Sequence, residues 1–165
     1  GIIGGNATGM ASVIYYVLVY IFSNLGAFGV VAAIANKTGK ENLNDYNGLY
    51  HTNPGLSLVM TLSMFSLAGI PPVAGFFGKF FLFTAAAEKG YYLLVTIAVL
   101  NTIISLYYYL LVVKAMFINA SESPVERFKS DFSTKFALGI CVAGIFITGF
   151  ASSVFEAIRN FSFGI

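Results

Sequence analysis

The sequence predicts an all-α, polytopic membrane protein with about five transmembrane helices, two of them a short pair interrupted by glycine and proline. The first observation is composition: 58% of the residues are hydrophobic and only 10% are charged, whereas a soluble domain carries about 25% charged residues. Too few polar side chains remain to cover a water-facing surface, so the lipid bilayer is the expected solvent. The second observation is length, because several apolar runs reach the ~20 residues that a helix needs to cross the hydrocarbon core. The strict apolar–polar alternation of barrel strands is absent.

Charged residues fall into bands that divide the chain into apolar segments. The bands lie at 37–45, 88–89, 122–135 and 156–159. Between them we predict helices near 11–35, 54–70, 72–88, 91–118 and 136–158, all within one membrane domain that covers residues 1–165. The first, fourth and fifth are long enough to span the bilayer, where only a helix satisfies the backbone without closing a barrel.

The second and third helices are predicted from a break in the middle of a longer apolar stretch. As a single helix, residues 55–87 would be about 50 Å long, which is too long for one crossing. Pro71 and Pro72 remove two backbone donors, and Pro71 disfavours helical geometry at Ile70. Proline also suits the first turn of a new helix. Paired short segments of this kind are the best sequence indication of a transporter's central site.

Lys79 is the only charged residue between Asp45 and Glu88. An ionisable side chain at the bilayer centre costs roughly 2.5–3.5 kcal/mol, which makes it a functional hypothesis by default. Lys79 lies eight residues after Pro71 and nine before Glu88, so the split places it about 12 Å from either end of its segment. The alternative is one kinked span near 57–78, in which Lys79 lies at the end and its amine snorkels to the headgroups.

Polar and small residues could serve a lysine at this depth. Candidates sharing a helix face are Tyr16, Tyr20, Ser23 and Asn24 on the first helix, and Asn101, Ser105, Tyr108 and Tyr109 on the fourth. Such residues either line a wet path or hold helices together in lipid. Gly75 and Gly78 permit close helix approach or local unwinding beside Lys79.

Several functional classes are excluded or disfavoured by the sequence. It contains no zinc pattern, phosphate loop, nucleophile triad or glycine-rich nucleotide fingerprint, so we expect no metal and no redox cofactor in this chain. The net charge is only +2 and the basic residues are dispersed, so no nucleic-acid partner is expected. The single cysteine, Cys141, excludes an intrachain disulfide. The chain begins at Gly1 without an initiator methionine, and we expect it to be a piece of a longer membrane protein.

A lysine in the middle of a membrane can move protons. Burial disfavours the charged form of an amine, so Lys79 could accept a proton from one side and release it to the other when its surroundings change. The broken helix supplies a mobile element for that change. Because arginine stays charged, replacing Lys79 by arginine should not be conservative.

The run SLAGIPPVAGFFGKF at residues 66–80 resembles the signature of the antiporter-like, proton-translocating subunits of respiratory complex I. The flanking residues 20–29 and 105–110 look most like the subunit N branch of NADH–quinone oxidoreductase. The resemblance covers residues 11–118 well, and residues 119–165 fit only as a loop plus a final helix.

The resemblance implies a fold of two inverted five-helix repeats, each with a broken helix, and it makes this chain the C-terminal part with the second break. Lys79 then occupies the position of the second-repeat lysine, a proton relay whose work is coupled to quinone reduction elsewhere. Its supporting polar and hinge residues would be Pro71, Pro72, Gly75, Gly78, Asn24, Ser105 and Tyr108. The resemblance also places Arg127 on the cytoplasmic side and Arg159 on the opposite side.

The resemblance further implies that this is one subunit of a proton-translocating NADH:quinone oxidoreductase in a bacterial plasma membrane, with no redox centre of its own. NADH, flavin, Fe–S centres and quinone would be bound by other subunits. Its partners would be the lipid bilayer, other membrane subunits and the missing N-terminal half of the same subunit. Three alternatives stay open: a Na⁺/H⁺ antiporter subunit, a subunit of a related hydrogenase-type complex, and a passive membrane scaffold.

Overall fold

The structure is a computed structural model that describes residues 2–4, 7–150 and 152–163. Within these residues the chain forms seven α-helices and no strand. The helices are α1 Ala7–Thr38, α2 Leu49–Thr52, α3 Pro54–Ala68, α4 Ala74–Ala87, α5 Tyr92–Phe117, α6 Phe132–Phe150 and α7 Ser152–Phe163. The predicted all-α fold class is therefore confirmed.

Helix α1 is the central element of the bundle, and α3, α4, α6 and α7 all pack against it. Its buried side chains recur at helical spacing, as in Tyr15, Val19 and Ser23 and again in Val30 and Ile34. At 1.5 Å per residue its 32 residues extend about 48 Å, more than the ~30 Å hydrocarbon core. The position of a contact along α1 therefore indicates the depth of the contacting residue in the membrane.

Three of the described helices are long and apolar enough to cross a membrane: Thr8–Thr38 within α1, Tyr92–Phe117 (α5) and Phe132–Phe150 (α6). Helices α3 and α4 are apolar but shorter, with 15 and 14 residues. The chain is thus a multi-pass membrane protein with three long helices and a short pair, as the fold-class prediction states.

The break between α3 and α4 occupies residues 69–73. Helix α3 begins with Pro54 at its first position, where the missing proline N–H costs nothing. It ends at Ala68, and the following Gly69 has a φ of +81°, the left-handed conformation that terminates many helices. Pro71 and Pro72 follow, joined by a cis peptide bond, and α4 begins at Ala74.

Residues of the predicted segment near 136–158 belong to two helices, α6 and α7, with residue 151 lying outside the described part of the chain. Helix α7 packs against the start of α1. The Phe155 ring stacks on Phe81 of α4 at 4.0 Å and meets the edge of Tyr15 at 5.8 Å. Glu156 and Arg159 are exposed, so only one face of α7 joins the bundle.

Candidate functional site

The break leaves two backbone carbonyls of α3 without their usual partners. In a continuous helix, the carbonyls of Leu67 and Ala68 would accept the N–H groups four residues ahead. Those positions are Pro71 and Pro72, which have no N–H to donate. The N–H groups of Gly69 and Ile70 donate to the carbonyls of Phe65 and Ser66, not to those of Leu67 and Ala68. The last two carbonyls of α3 therefore need donors from elsewhere.

Lys79 provides those donors. Its Nζ donates to the Leu67 carbonyl at 3.0 Å and to the Ala68 carbonyl at 3.1 Å. The side chain points toward the start of α4, as helical side chains do, and passes over Gly69. The C-terminal end of a helix carries partial negative charge, so α3 stabilises an ammonium group at this place.

The break lies near the middle of the long helices. Ser23, which is close to the midpoint of α1, donates through its Oγ to Ser66 Oγ at 2.7 Å, two residues before the end of α3. On α5, Asn101 and Ser105 lie beside the same cavity as Lys79 and close to that helix's midpoint. Lys79 itself is five residues, or about 7.5 Å, into α4. Its side chain reaches back to the break rather than away from it toward a headgroup region.

A cavity of about 420 Å³ adjoins Lys79. Four helices contribute to its wall, and its lining residues are Tyr16, Tyr20, Leu67, Lys79, Leu82, Phe83, Ala98, Asn101, Thr102, Ser105 and Tyr109. Six of these side chains besides Lys79 carry a polar group. A cavity of this size and polarity can hold several water molecules, each of which needs two to four polar partners.

No carboxylate is among the residues that line this cavity. In the described ranges 2–4, 7–150 and 152–163, the one salt bridge joins Lys37 and Asp131 at 3.8 Å, at the far end of α1. The Lys79 ammonium is therefore held by backbone carbonyl dipoles rather than by a side chain of opposite charge. Carbonyl dipoles stabilise the charged form of the amine, but less strongly than a carboxylate would.

Two glycines let α4 approach its neighbours closely enough to place Lys79. A Cβ on Gly75 would overlap the Ser66 carbonyl, a backbone group that cannot move aside cheaply. A Cβ on Gly78 would come within 3.2 Å of the Tyr16 ring. Pro71 and Pro72 are exposed in the link.

The structure brings some of the predicted supporting residues to Lys79 and not others. Ser105 lines the lysine cavity and donates to the Asn101 carbonyl at 2.8 Å. Tyr108 does not line it; the exposed Tyr108 hydroxyl reaches Ser105 Oγ at 3.0 Å from outside. Asn24 lines a neighbouring cavity of about 360 Å³, where its amide donates to the Tyr20 carbonyl at 2.8 Å. The two cavities share Leu67 and Tyr109 as lining residues.

The partners that sequence reasoning missed are the carbonyls of Leu67 and Ala68, together with the cavity residue Thr102. The predicted partners were all side chains, whereas the groups nearest the amine belong to the backbone. The signal was present in the two prolines, because each removed donor identifies an acceptor four residues earlier.

Fold and site together define a multi-pass helical membrane protein with a lysine bound at the break of a short helix pair. Residues 1–105 match the family model described as "NADH:quinone oxidoreductase/Mrp antiporter, TM". The chain belongs to this family.

Similar curated proteins carry consistent names. The chain is 55% identical over 160 residues to NADH-quinone oxidoreductase subunit N of Phocaeicola vulgatus, covering 96% of this chain and 34% of that protein. It is 54% identical to the subunit N of Azobacteroides pseudotrichonymphae, covering 100% of this chain and 35% of that protein. It is 41% identical to the chloroplastic NAD(P)H-quinone oxidoreductase subunit 2 of Mesostigma viride, covering 90% of this chain and 32% of that protein. The chain spans about a third of the length of these relatives.

Proposed function

We propose that this chain is part of a proton-translocating membrane subunit of an NADH:quinone oxidoreductase, in which Lys79 relays protons. The observation that carries the proposal is the pairing of one lysine amine with the two carbonyls that Pro71 and Pro72 leave without donors. The family membership and the names of the relatives support the wider role. The bacterial subunit N relatives support a plasma-membrane location.

The relay would work by changing what surrounds the amine. With Lys79 protonated, the ammonium donates to Leu67 and Ala68 and is favoured by the negative end of α3. If the break moves these carbonyls away, the ammonium loses that stabilisation, and a proton can pass from Nζ to water in the adjoining cavity. When the carbonyls return, the amine takes up a proton again. Directionality then depends on which side the cavity water reaches in each state.

The remaining predicted residues have supporting roles in this proposal. Because Pro71 and Pro72 have no N–H, the carbonyls of Leu67 and Ala68 receive no backbone hydrogen bond and can accept from Lys79. Gly75 and Gly78 allow the close packing that brings α4 to α3 and α1. Ser105 supplies a hydroxyl to the lysine cavity, Tyr108 holds that hydroxyl from outside, and Asn24 lines the adjacent cavity. None of these groups acts as the proton carrier.

Electron transfer belongs to other subunits in this proposal, which bind NADH, flavin, Fe–S centres and quinone. Other membrane subunits and the remainder of a subunit three times this length would complete the proton path. A Na⁺/H⁺ antiporter subunit is the second candidate, because the description of the matched family includes the Mrp antiporter. The names of the relatives favour the oxidoreductase over the antiporter and over a related hydrogenase-type complex. A passive membrane scaffold is the alternative without proton transfer.

The test replaces Lys79 in the full-length subunit within its assembled complex, and measures proton pumping in vesicles together with quinone reduction. We expect Lys79→Ala and Lys79→Arg to lower the protons moved per electron pair while the complex still assembles. Lys114→Ala is the matched control, because Lys114 also lies in an apolar helix but is exposed and outside the lysine cavity. Unchanged pumping in both Lys79 variants contradicts the relay. Pumping that depends on Na⁺ rather than on electron transfer favours the antiporter.

A further inference from the structure

A groove of about 760 Å³ lies between α3 and α6, well away from Lys79. Its mouth is at the end of the molecule where Pro54 begins α3 and Phe132 begins α6. The lining residues are Thr52, Asn53, Pro54, Gly55, Leu56, Val59, Arg127, Phe128, Lys129, Ser130, Lys135, Leu138, Gly139 and Val142. This volume falls within the roughly 300–1,000 Å³ typical of small-molecule sites.

The rim of the groove is positively charged. Arg127, Lys129 and Lys135 line it, and none of the lining residues is acidic. Asp131 lies between them in sequence, but its carboxylate is 3.8 Å from Lys37 on α1. The three cations are exposed, so their charge is available to a ligand at the mouth.

The floor of the groove is apolar and runs into the membrane. Val59 lies five residues into α3 and Val142 ten residues into α6, which corresponds to depths of about 7.5 and 15 Å. Leu56 and Leu138 lie between these depths and the mouth. A Cβ on Gly139 would meet no atom within 4 Å, so this glycine opens the floor rather than allowing two helices to touch.

We propose that this groove binds one anionic phospholipid, with its phosphate at Arg127, Lys129 and Lys135 and the upper part of an acyl chain along the floor. Two features together select this occupant. The cluster of cations without a carboxylate favours a negative headgroup over a zwitterionic one. The apolar floor lies below the headgroup level, where an acyl chain can pack against it. A soluble anion has no apolar part to fill this space. The proposal does not depend on the proton relay.

The direct test uses the full-length subunit in its complex, reconstituted with phosphatidylglycerol that carries a photoreactive group in its acyl chain. We expect light to attach this lipid to peptides containing Leu56, Val59 or Val142. A matching phosphatidylcholine probe should label these peptides much less. Labelling that is equal for both lipids, or absent from these peptides, overturns the proposal.

Two variants separate headgroup from acyl-chain binding. The triple change Arg127→Gln, Lys129→Gln and Lys135→Gln should remove the preference for phosphatidylglycerol, since each surface cation contributes about fivefold. Gly139→Phe should block the floor and reduce labelling by both lipids, with the rim charges intact.

Matched controls exist for both variants. Lys40→Gln, Lys89→Gln and Lys114→Gln remove the same charge from outside the groove, and Ala137→Phe adds the same ring to α6 beside a different cavity. Both controls should label like the parent. If the groove variants instead impair assembly and a photoreactive amino acid at Val59 attaches to a polypeptide, a protein segment fills the groove and the lipid proposal is wrong.

Discussion

The lysine cavity and the basic groove both place cations beside a cavity of an apolar helix bundle, and the surroundings of those cations are opposite. Lys79 lies midway along the bundle, where its amine is bound by two carbonyls. Arg127, Lys129 and Lys135 lie at one end of the bundle and are exposed. The same kind of charge therefore has a protein acceptor in the middle of the bundle and needs none at its surface, where water is available. The basic groove is lined by Gly55 and Gly139, whereas Gly75 packs α4 against α3 beside Lys79, and only Gly75 lies in a contact that excludes a Cβ.

The glycines provide the largest expected difference. Gly75→Ala should destabilise the subunit by about 3 kcal/mol, because its Cβ would overlap the Ser66 backbone carbonyl and force α4 away from α3. Gly55→Ala in the basic groove meets nothing within 4 Å and should be neutral or stabilise α3 by up to ~1 kcal/mol. Thermal unfolding of the detergent-solubilised subunit, followed by circular dichroism, measures both. Equal stability of the two variants would show that the close contact at Gly75 is not required.

Removing the cations gives the next largest difference. Lys79→Met should cost about 2 kcal/mol of stability, because the Leu67 and Ala68 carbonyls lose their donors at the negative end of α3. Neutralising Arg127, Lys129 and Lys135 to glutamine should leave the unfolding temperature unchanged, since exposed charges contribute little. The measurement is the unfolding temperature of each variant in the same detergent. A Lys79→Met protein more stable than the parent would mean that burying the charge outweighs its hydrogen bonds.

The break itself was predictable from sequence, and the partners of Lys79 were not found. Two consecutive prolines in an apolar stretch too long for one crossing indicate a split, and the structure has its link at residues 69–73. The depth of the lysine depends on how α4 packs on α3, which follows from the tight contact at Gly75 rather than from any spacing in the sequence. The predicted distance of about 12 Å to either end was counted from Pro71, whereas α4 begins at Ala74, five residues before Lys79.

Helix faces were less predictable than helix positions. The polar stripes of α1 and α5 included Tyr16, Ser105 and Tyr109, which do line the lysine cavity, but also Asn24 and Tyr108, which do not. Helical spacing of three and four residues selects a face about 100° wide, and that width covers two adjacent cavities here. Only the packing of α3 between the two long helices decides which cavity each residue meets. No signal in the chain separated them.

A third prediction concerns the contact that sets the depth of the break. Ser66→Ala should cost about 1 kcal/mol, because the buried Ser66 Oγ accepts the hydrogen bond from Ser23 on α1. Ser63, one turn earlier on α3, is equally buried, but its hydroxyl has no hydrogen-bond partner among the described residues. Ser63→Ala should therefore be neutral or slightly stabilising. Urea unfolding of the two variants side by side distinguishes them, and a larger loss for Ser63→Ala would show that its hydroxyl has a partner after all.

The smallest expected effect is at Tyr46, a buried residue near the surface end of the bundle. Tyr46 lies in a short 3₁₀ helix, Leu43–Tyr46, between α1 and α2, and it is buried. Its hydroxyl has no hydrogen-bond partner within the part of the chain that the structure describes. Tyr46→Phe should therefore be neutral or stabilising by up to ~1 kcal/mol.

The pH dependence of stability tests the same site. Burial, with a smaller contribution from Asp45 and Glu41, raises the pKa of Tyr46 above its ordinary value. The folded state then keeps the phenol proton at a pH where the unfolded chain releases it, so Tyr46 lowers stability as pH rises above ~10. Tyr46→Phe should flatten that alkaline loss and leave stability at neutral pH nearly unchanged. An alkaline unfolding curve identical to the parent's would mean that the Tyr46 phenol ionises as freely in the folded protein as in the unfolded chain.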